Sequence, residues 1–278
     1  MRVLLLFAAL PLCAQVLIDN SWKVLDRGLH DSNPIKRVQA VTAMAIMRPL
    51  PKSRALVESA FDDKDYSIRQ AACTALDEMK SRASIPKLKD ALNDKAPEVV
   101  FAAAKALYDM GDPIGREVLI GILLGEQADS SSFFQSSMHD MKAKIHEPHE
   151  LVMIGIKSGA GVLLGPGALG VPVAEGLMRD AQASGKTVAA ALLAKDRSSD
   201  AMNAIREALS DKNWTVRAAA CRALALANST SDFETIAGLL DDKKEEVQYS
   251  AAAALIRLKQ PATGGGAART TSAPKSKK

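Results

Sequence analysis

Three of the four histidines fall close together in the middle of the chain. They are His139, His146 and His149, and carboxylates accompany them at Asp140, Glu147 and Glu150. Imidazole and carboxylate groups are common ligands of divalent metals. Pro148 separates His146 from His149, so the two do not form the helical His-Glu-x-x-His pair of a metalloprotease. Two hypotheses follow for this region: a metal site, or polar residues of a solvated loop.

A second short motif, Gly185-Lys186-Thr187, resembles the end of a phosphate-binding loop. Such a loop requires another glycine five residues before Gly185, and position 180 is Asp180. Asp180 also belongs to a repeated pattern, described next, that places the motif at the start of a helix. We therefore predict no nucleotide site here.

No set of residues assembles into a catalytic centre. The histidines are confined to His30 and to residues 139–149, no Gly-x-Ser-x-Gly motif occurs, and Cys73 falls on a predicted core helix. We expect no enzyme and no cofactor. The alternative is an enzyme-accessory or metal-dependent factor that uses residues His139 to Glu150.

The elements that position these residues follow a repeat of about 31 residues. An aspartate stands two residues after a large apolar residue at Asp31, Asp63, Asp94, Asp180, Asp211 and Asp242. The intervals are 32, 31, 86, 31 and 31 residues. Nine residues after each aspartate comes an alanine, and thirteen after it a leucine or methionine. A fixed period with small and large apolar residues on one helical face is typical of stacked helix pairs.

The turn between the paired helices carries helix-start signals. Asn33, Asp65 and Asn213 are good N-cap residues, and Pro34 and Pro97 suit the first turn of a helix. Six residues after the aspartate stand Arg37, Arg69, Lys186 and Arg217, whereas Val100 and Gln248 depart from the pattern. The second helix of each unit is therefore predicted to begin just after the aspartate.

These residues resemble the short HEAT-like repeats also found in phycobilisome lyases. The carrying segments are Leu92-Asn93-Asp94 with Val99, Leu209-Ser210-Asp211 with Val216-Arg217-Ala218-Ala219-Ala220, and Leu240-Asp241-Asp242 with Val247. The resemblance implies an armadillo-like helical fold and a structural ladder between neighbouring repeats that involves Asp63 with Arg69 and Asp211 with Arg217. It implies no enzymatic activity, because no chromophore-handling residue can be matched.

Composition agrees with an all-α protein. Hydrophobic residues make up 47% of the chain but aromatic residues only 4%, which suits cores of Ala and Leu between closely packed helices. We predict an α-solenoid of about seven to eight HEAT-like helix pairs. If the units stack in chain order, Cys73 and Cys221 lie roughly 40–50 Å apart at 8–10 Å per helix. Both are expected to be buried and reduced rather than joined.

The first residues have the features of an export signal. Arg2 precedes an apolar run from Val3 to Leu12, and Leu12-Cys13-Ala14 forms a cleavage site before Gln15. We expect a bacterial protein of the periplasm or cell envelope. A lipoprotein acylated at Cys13 is the alternative, but a leucine instead of a small residue precedes that cysteine.

A segment rich in glycine and proline follows the histidine region. It lies between Asp94 and Asp180, an interval that is shorter than three full periods of the repeat. Three interpretations stay open: a distorted repeat, a loop that binds a partner, and an element that contacts the membrane. The partner-binding interpretation uses the apolar residues Leu151, Ile154, Val162, Leu163, Leu164 and Leu169.

The last residues form a basic tail without apolar periodicity. Lys259, Arg269, Lys275, Lys277 and Lys278 account for its charge. Without them and Arg2, the net charge of +4 becomes about −2 for the repeats. A nucleic-acid-binding protein needs basic residues clustered on its folded surface, so nucleic acid is not an expected partner.

The sequence therefore predicts five regions. Residues 1–14 are a signal peptide, 15–124 N-terminal repeats, 125–176 the irregular Gly-rich segment, 177–260 C-terminal repeats, and 261–278 a disordered basic tail. We expect a monomeric, non-catalytic scaffold or assembly factor of the cell envelope that binds proteins along the solenoid surface. A protein attached peripherally to the envelope is a further alternative.

Overall fold

The computed structural model describes residues 4–124 and 181–260, and side-chain environments from residue 14 and from residue 185 within those ranges. This part of the chain is helical and has no strand. The helices are α1 (Leu4–Leu29), α2 (Pro34–Met44), α3 (Pro51–Glu58), α4 (Tyr66–Glu78), α5 (Ile85–Ala91), α6 (Pro97–Asp109), α7 (Pro113–Leu124), α8 (Ala181–Leu193), α9 (Ser199–Ala208), α10 (Trp214–Leu226), α11 (Phe233–Ala237) and α12 (Glu245–Lys259). Short 3-10 turns span Ser59–Asp62, Arg82–Ser84, Thr230–Asp232 and Gly238–Asp241.

The helix starts lie where the sequence predicts them. The side chains of Asn33, Asp65 and Asn213 accept hydrogen bonds from backbone N–H groups two residues later, at 2.9 Å each, and so cap α2, α4 and α10. Pro34 and Pro97 occupy the first turns of α2 and α6. Three second helices also end alike, because Lys80, Gly111 and Asn228 adopt positive φ at the same repeat position.

The two predicted core columns form the interior of the stack. Ala40, Ala72, Ala103, Ala220 and Ala251 are fully buried, and so are Met44, Leu76, Leu107, Leu224 and Leu255. The α8 helix is the exception. There Ala189 is exposed, while Thr187, Ala190 and Ala194 are buried instead. Within the described part of the chain the most extensive contacts of α8 are with α10 and α9.

The order of the repeats in space differs from their order in the chain. Among the second helices α8 packs on α10, α10 on α12, α12 on α2, α2 on α4, and α4 on α6. The expectation that the units stack in chain order is therefore wrong at one joint: the last repeat packs against the first. Two terminal repeats with exposed apolar faces cover each other, which removes both faces from water.

The joint depends on the close approach of α1 and α12. Every residue from Ala251 to Ala254 is fully buried, since α12 is surrounded by α1, α2, α10 and α11. Gly28 of α1 faces Tyr249 of α12, and a Cβ atom at Gly28 would lie 2.6 Å from Tyr249 Cε1 and 2.8 Å from Ala40 Cβ. Only glycine fits there without a shift of one helix.

Candidate functional site: the inner face of the helix stack

The repeat aspartates and arginines form a ladder along one edge of the stack. The Nε and Nη2 groups of Arg69 donate to the carboxylate of Asp94, at 2.6 and 2.8 Å, and Nη1 donates to the backbone carbonyl of Asp63 at 2.8 Å. Arg217 repeats this geometry with the carboxylate of Asp242 and the carbonyl of Asp211. Each arginine thus joins its own turn to the turn of the next repeat.

The structure therefore brings Asp63 close to Arg69, and Asp211 close to Arg217, through backbone carbonyls. The carboxylate of Asp63 instead binds Arg37 of the preceding repeat, at 2.6 and 3.0 Å. Burial works against ionisation of Asp63, but the hydrogen bonds from Arg37 and from the Asp65 N–H outweigh burial and lower the pKa of the carboxyl. The ladder is built from ionised groups that bind one another.

Lys186, the lysine of the Gly-Lys-Thr motif, is a ladder residue. Its Nζ lies 2.6 Å from the Asp211 carboxylate, in the position that arginine takes elsewhere. The motif lies within the helix α8 and not in a loop that precedes a helix. A phosphate-binding loop is therefore excluded for this lysine.

The ladder changes at the joint between the last and first repeats. Gln248 stands where arginine is expected, and its side chain donates to the Asp242 carbonyl and accepts from Arg27 of α1. Lys36 supplies the ionic contact instead, with its Nζ 2.6 Å from Glu245 and 3.4 Å from Asp31. The departure of Gln248 from the repeat pattern therefore coincides with the joint.

The second helices turn so tightly that side chains meet across their inner face. Arg222 of α10 bonds Glu78 of α4, although α12 and α2 lie between these helices in the stack. On the same face Lys105 of α6 reaches Asp77 of α4 at 3.1 Å. Asp77 also accepts from Lys80 at 2.8 Å. The inner face of the described repeats is thus a charged surface with carboxylates and cations in contact.

Two aromatic side chains continue this inner face onto α6. Phe101 and Tyr108 precede and follow Lys105 by four and three residues, which places the three on one side of the helix. Phe101 is 38% exposed and Tyr108 53% exposed. Neither residue is among the site residues predicted from the sequence. Their spacing, in a chain with only 4% aromatic residues, was the available signal.

Both described cysteines are buried and free. Burial raises the pKa of the Cys73 thiol far above its usual range, and it raises the pKa of Cys221 to about 12. A thiol that stays protonated is a poor nucleophile and a poor metal ligand. Cys73 lies on α4 and Cys221 on α10, and these helices are three steps apart in the stack instead of five. The separation of the two cysteines that stacking in chain order predicts is therefore not observed.

The other predicted site residues lie outside the described ranges. This applies to His139, His146 and His149 as metal ligands, and to Leu151, Ile154, Val162, Leu163, Leu164 and Leu169 as a partner-binding segment. Within residues 4–124 and 181–260, no group of three or more His, Cys, Asp or Glu side chains has the arrangement of a metal site.

No helix of the described chain combines the length and the apolar character that a bilayer span requires.

Paired helices with a common period and an interlocking ladder define an α-solenoid repeat protein. The family model for HEAT repeats matches residues 22–96, 53–130 and 171–263. These matches extend over more than half of the sequence, and the chain belongs to the HEAT repeat family.

The chain shows distant similarity to several solved structures. Human deoxyhypusine hydroxylase in complex with glycerol is 18% identical, with 89% of this chain and 99% of that chain covered and a TM-score of 0.34. An engineered protein is 19% identical, with 87% and 96% covered and a TM-score of 0.28. A second engineered protein is 18% identical, with 86% and 68% covered and a TM-score of 0.27. Among curated protein sequences, none matches this chain. The family assignment rests on the repeat match.

Proposed function

We propose that this HEAT repeat protein is a non-catalytic scaffold that binds a protein partner through the inner face at α6. The observation that carries the proposal is the exposed pair Phe101 and Tyr108, with the Lys105 stem between them. Aromatic side chains are enriched at protein interfaces and supply much of the binding energy there. Elsewhere on the inner face, side chains such as Arg222 and Glu78 already bond each other.

The contacts that hold α6 in place favour partner binding at this surface without rearrangement. Lys105, which lies between Phe101 and Tyr108 in the sequence of α6, bonds Asp77 on α4 and Asp109 on α6, and these contacts hold its ammonium group in place. Gly115 lets α7 approach α6 closely, because a Cβ atom there would lie 2.3 Å from the backbone nitrogen of Tyr108. A surface held from both neighbouring helices loses little conformational entropy when a partner binds.

Crosslinking of partners in the native host tests the proposal. The double variant Phe101→Ala/Tyr108→Ala should lose most of the captured partner while its unfolding curve stays close to that of the parent. Tyr66→Ala is the matched control, because Tyr66 is 47% exposed and lies at the first turn of α4, at the opposite end of that helix from Asp77. Equal recovery of the same partner with the parent and the double variant would contradict the proposal.

We propose also that the protein acts outside the cytoplasm, in the cell envelope, after cleavage following Ala14. Ile18, Ser21, Val24, Leu25, Gly28 and Leu29 of α1 are buried and follow that bond. The mature chain would therefore keep the described contact of Gly28 with Tyr249 of α12. Sedimentation should find a monomer, since the first and last repeats already cover each other.

A further inference from the structure

The ends of three second helices bring three arginines together beside the joint. Arg257 of α12 donates from Nε to the Ala225 carbonyl at 3.0 Å and from Nη1 to the Ile46 carbonyl at 2.6 Å. Arg48, just after α2, donates from Nη2 to Asn228 Oδ1 at 2.8 Å. Arg222 donates from Nη2 to Glu78. The last turns of α2, α10 and α12 therefore meet around these side chains.

Positive charge exceeds negative charge at this place. Of the three guanidinium groups, only that of Arg222 has a carboxylate partner within the described residues. Burial, together with the charges of Arg48 and Arg222, lowers the pKa of Arg257. Backbone carbonyls offset part of the positive charge, because helix C-termini carry partial negative charge. They leave two full charges without a counter-ion among residues 4–124 and 181–260.

Hydrogen-bond donors are also left over. A guanidinium has five N–H donors, and the described contacts use one from Arg48, two from Arg257 and one from Arg222. Arg48 Nε is buried without an acceptor in the described part of the chain. Arginines with free N–H groups in a partly buried place suit a ligand that accepts two hydrogen bonds at once.

We propose that Arg48, Arg222 and Arg257 form a binding site for an oxyanion, a carboxylate or phosphate group. Such a group would accept from the free donors of Arg48 and Arg257 and neutralise the charge that Glu78 leaves uncompensated. The Glu78 carboxylate holds Arg222 in place. The site does not include Phe101 or Tyr108, so this proposal is tested independently of partner binding at α6.

The test compares three probes at constant ionic strength set with sodium chloride. They are inorganic phosphate, succinate, and a hexapeptide of glutamate with blocked ends. Thermal unfolding reports binding, because a ligand present at 100 times its dissociation constant raises the midpoint by about 5–10 °C in a chain of this size. Calorimetric titration gives the affinity directly.

Arg48→Gln is the principal variant, because the Arg48 side chain makes one hydrogen bond to the described residues and its loss should leave the fold intact. At least one probe should stabilise the parent and the control Arg116→Gln, and its affinity for Arg48→Gln should fall about tenfold. Arg116 is exposed on α7 and gives the same change of charge. Phe101→Ala/Tyr108→Ala should bind the probe like the parent.

The probes also separate the sources of the oxyanion. Stronger binding of the peptide than of either small anion would assign the site to an acidic segment of a macromolecular partner. Stronger binding of phosphate or succinate would assign it to a small molecule. The proposal is overturned if no probe acts beyond sodium chloride, or if Arg48→Gln responds like the parent.

Discussion

Arg222 of α10 donates a hydrogen bond of 2.5 Å to the carboxylate of Glu78 at the end of α4, and 144 residues of sequence separate the two. The contact joins the C-terminal and N-terminal repeats across the inner face. Both side chains are largely buried, so the pair is shielded from solvent. A buried carboxylate and its single cationic partner are expected to depend strongly on each other.

Substitution of Arg222 by leucine should destabilise the protein by about 3 kcal/mol in urea denaturation at pH 7, because it leaves Glu78 buried and charged. Burial raises the pKa of Glu78, and Arg222 opposes this rise. A raised folded pKa gives stability at low pH that is lost as pH rises through it. The loss of unfolding free energy in Arg222→Leu should therefore be larger at pH 7 than at pH 5. In Arg222→Leu/Glu78→Gln the deficit should not change with pH, and a persisting change would assign it to another group.

Alanine at Gly28 should destabilise the joint between α1 and α12 by about 1–3 kcal/mol, because the added methyl group overlaps Tyr249 and Ala40. The control is Gly238→Ala, where nothing lies within 4 Å of the new Cβ atom. Gly238 has φ of −60°, so alanine there should stabilise by about 0.4–1 kcal/mol. Equal effects of the two substitutions on the unfolding midpoint would contradict the close packing at Gly28.

Arg69→Gln should lower the free energy of unfolding by about 2–3 kcal/mol, since it removes the paired hydrogen bonds to Asp94. Lys186→Gln removes a single contact from a side chain that is 50% exposed, and its effect should stay below about 1 kcal/mol.

The ladder also has a pH signature. Burial raises the pKa of Asp94, but the hydrogen bonds from Arg69 and from the Ala96 N–H outweigh burial, and the net pKa is lowered. A depressed pKa gives stability above the unfolded value, which is lost as pH falls. The difference between the parent and Arg69→Gln should thus be constant above about pH 5 and shrink below about pH 4. A difference that persists unchanged at pH 2 would show that packing, not charge, carries the effect.

The two repeat cysteines should not react in the native protein. In the chain that begins at Gln15, an aromatic disulfide reagent at pH 8 should find no accessible thiol until urea unfolds the protein, when Cys73 and Cys221 react together. The raised pKa values of the two thiols and their complete burial both lower their reactivity. Rapid reaction of one thiol under native conditions would show that its repeat opens locally.

The proposed export with cleavage after Ala14 predicts the N-terminal residue of the mature protein. When the full chain is made in a bacterium, mass spectrometry of the exported fraction should find a protein that begins at Gln15. Leu5→Arg, which interrupts the apolar run, should abolish both processing and export. The chain that begins at Gln15 should match the unprocessed chain in unfolding free energy within about 0.5 kcal/mol. A large loss of stability on removal of residues 1–14 would assign them to the fold instead.

The repeat unit could be predicted from sequence because its signals are local. Asn33 and Asn213 cap helices through their own backbone, and the alanine column with Ala72 and Ala220 follows from the spacing along one helix. Counting from Asp180 places Lys186 at the repeat position of Arg69 and Arg217. Such features depend on neighbours a few residues away, which the period itself supplies.

The order of stacking could not be predicted in the same way. Every repeat presents a similar face of alanine and leucine, so the period does not state which unit packs on which. The signals for the joint are single residues: Gly28 inside a long helix, Gln248 in place of the ladder arginine, and the four consecutive alanines from Ala251. The contact of Arg222 with Glu78 follows from that order and had no local signal.

The joint of α1 with α12 also sets the order of events during synthesis. At about 5–20 residues per second, the ribosome completes α12 about 10–50 s after α1. Helices α3 to α6 can acquire their neighbours early, whereas α1 and α2 lack the contacts that α12 makes with them until α12 is complete. A nascent chain released early would keep an apolar face without its cover, so the complete array can form only when translation is nearly finished.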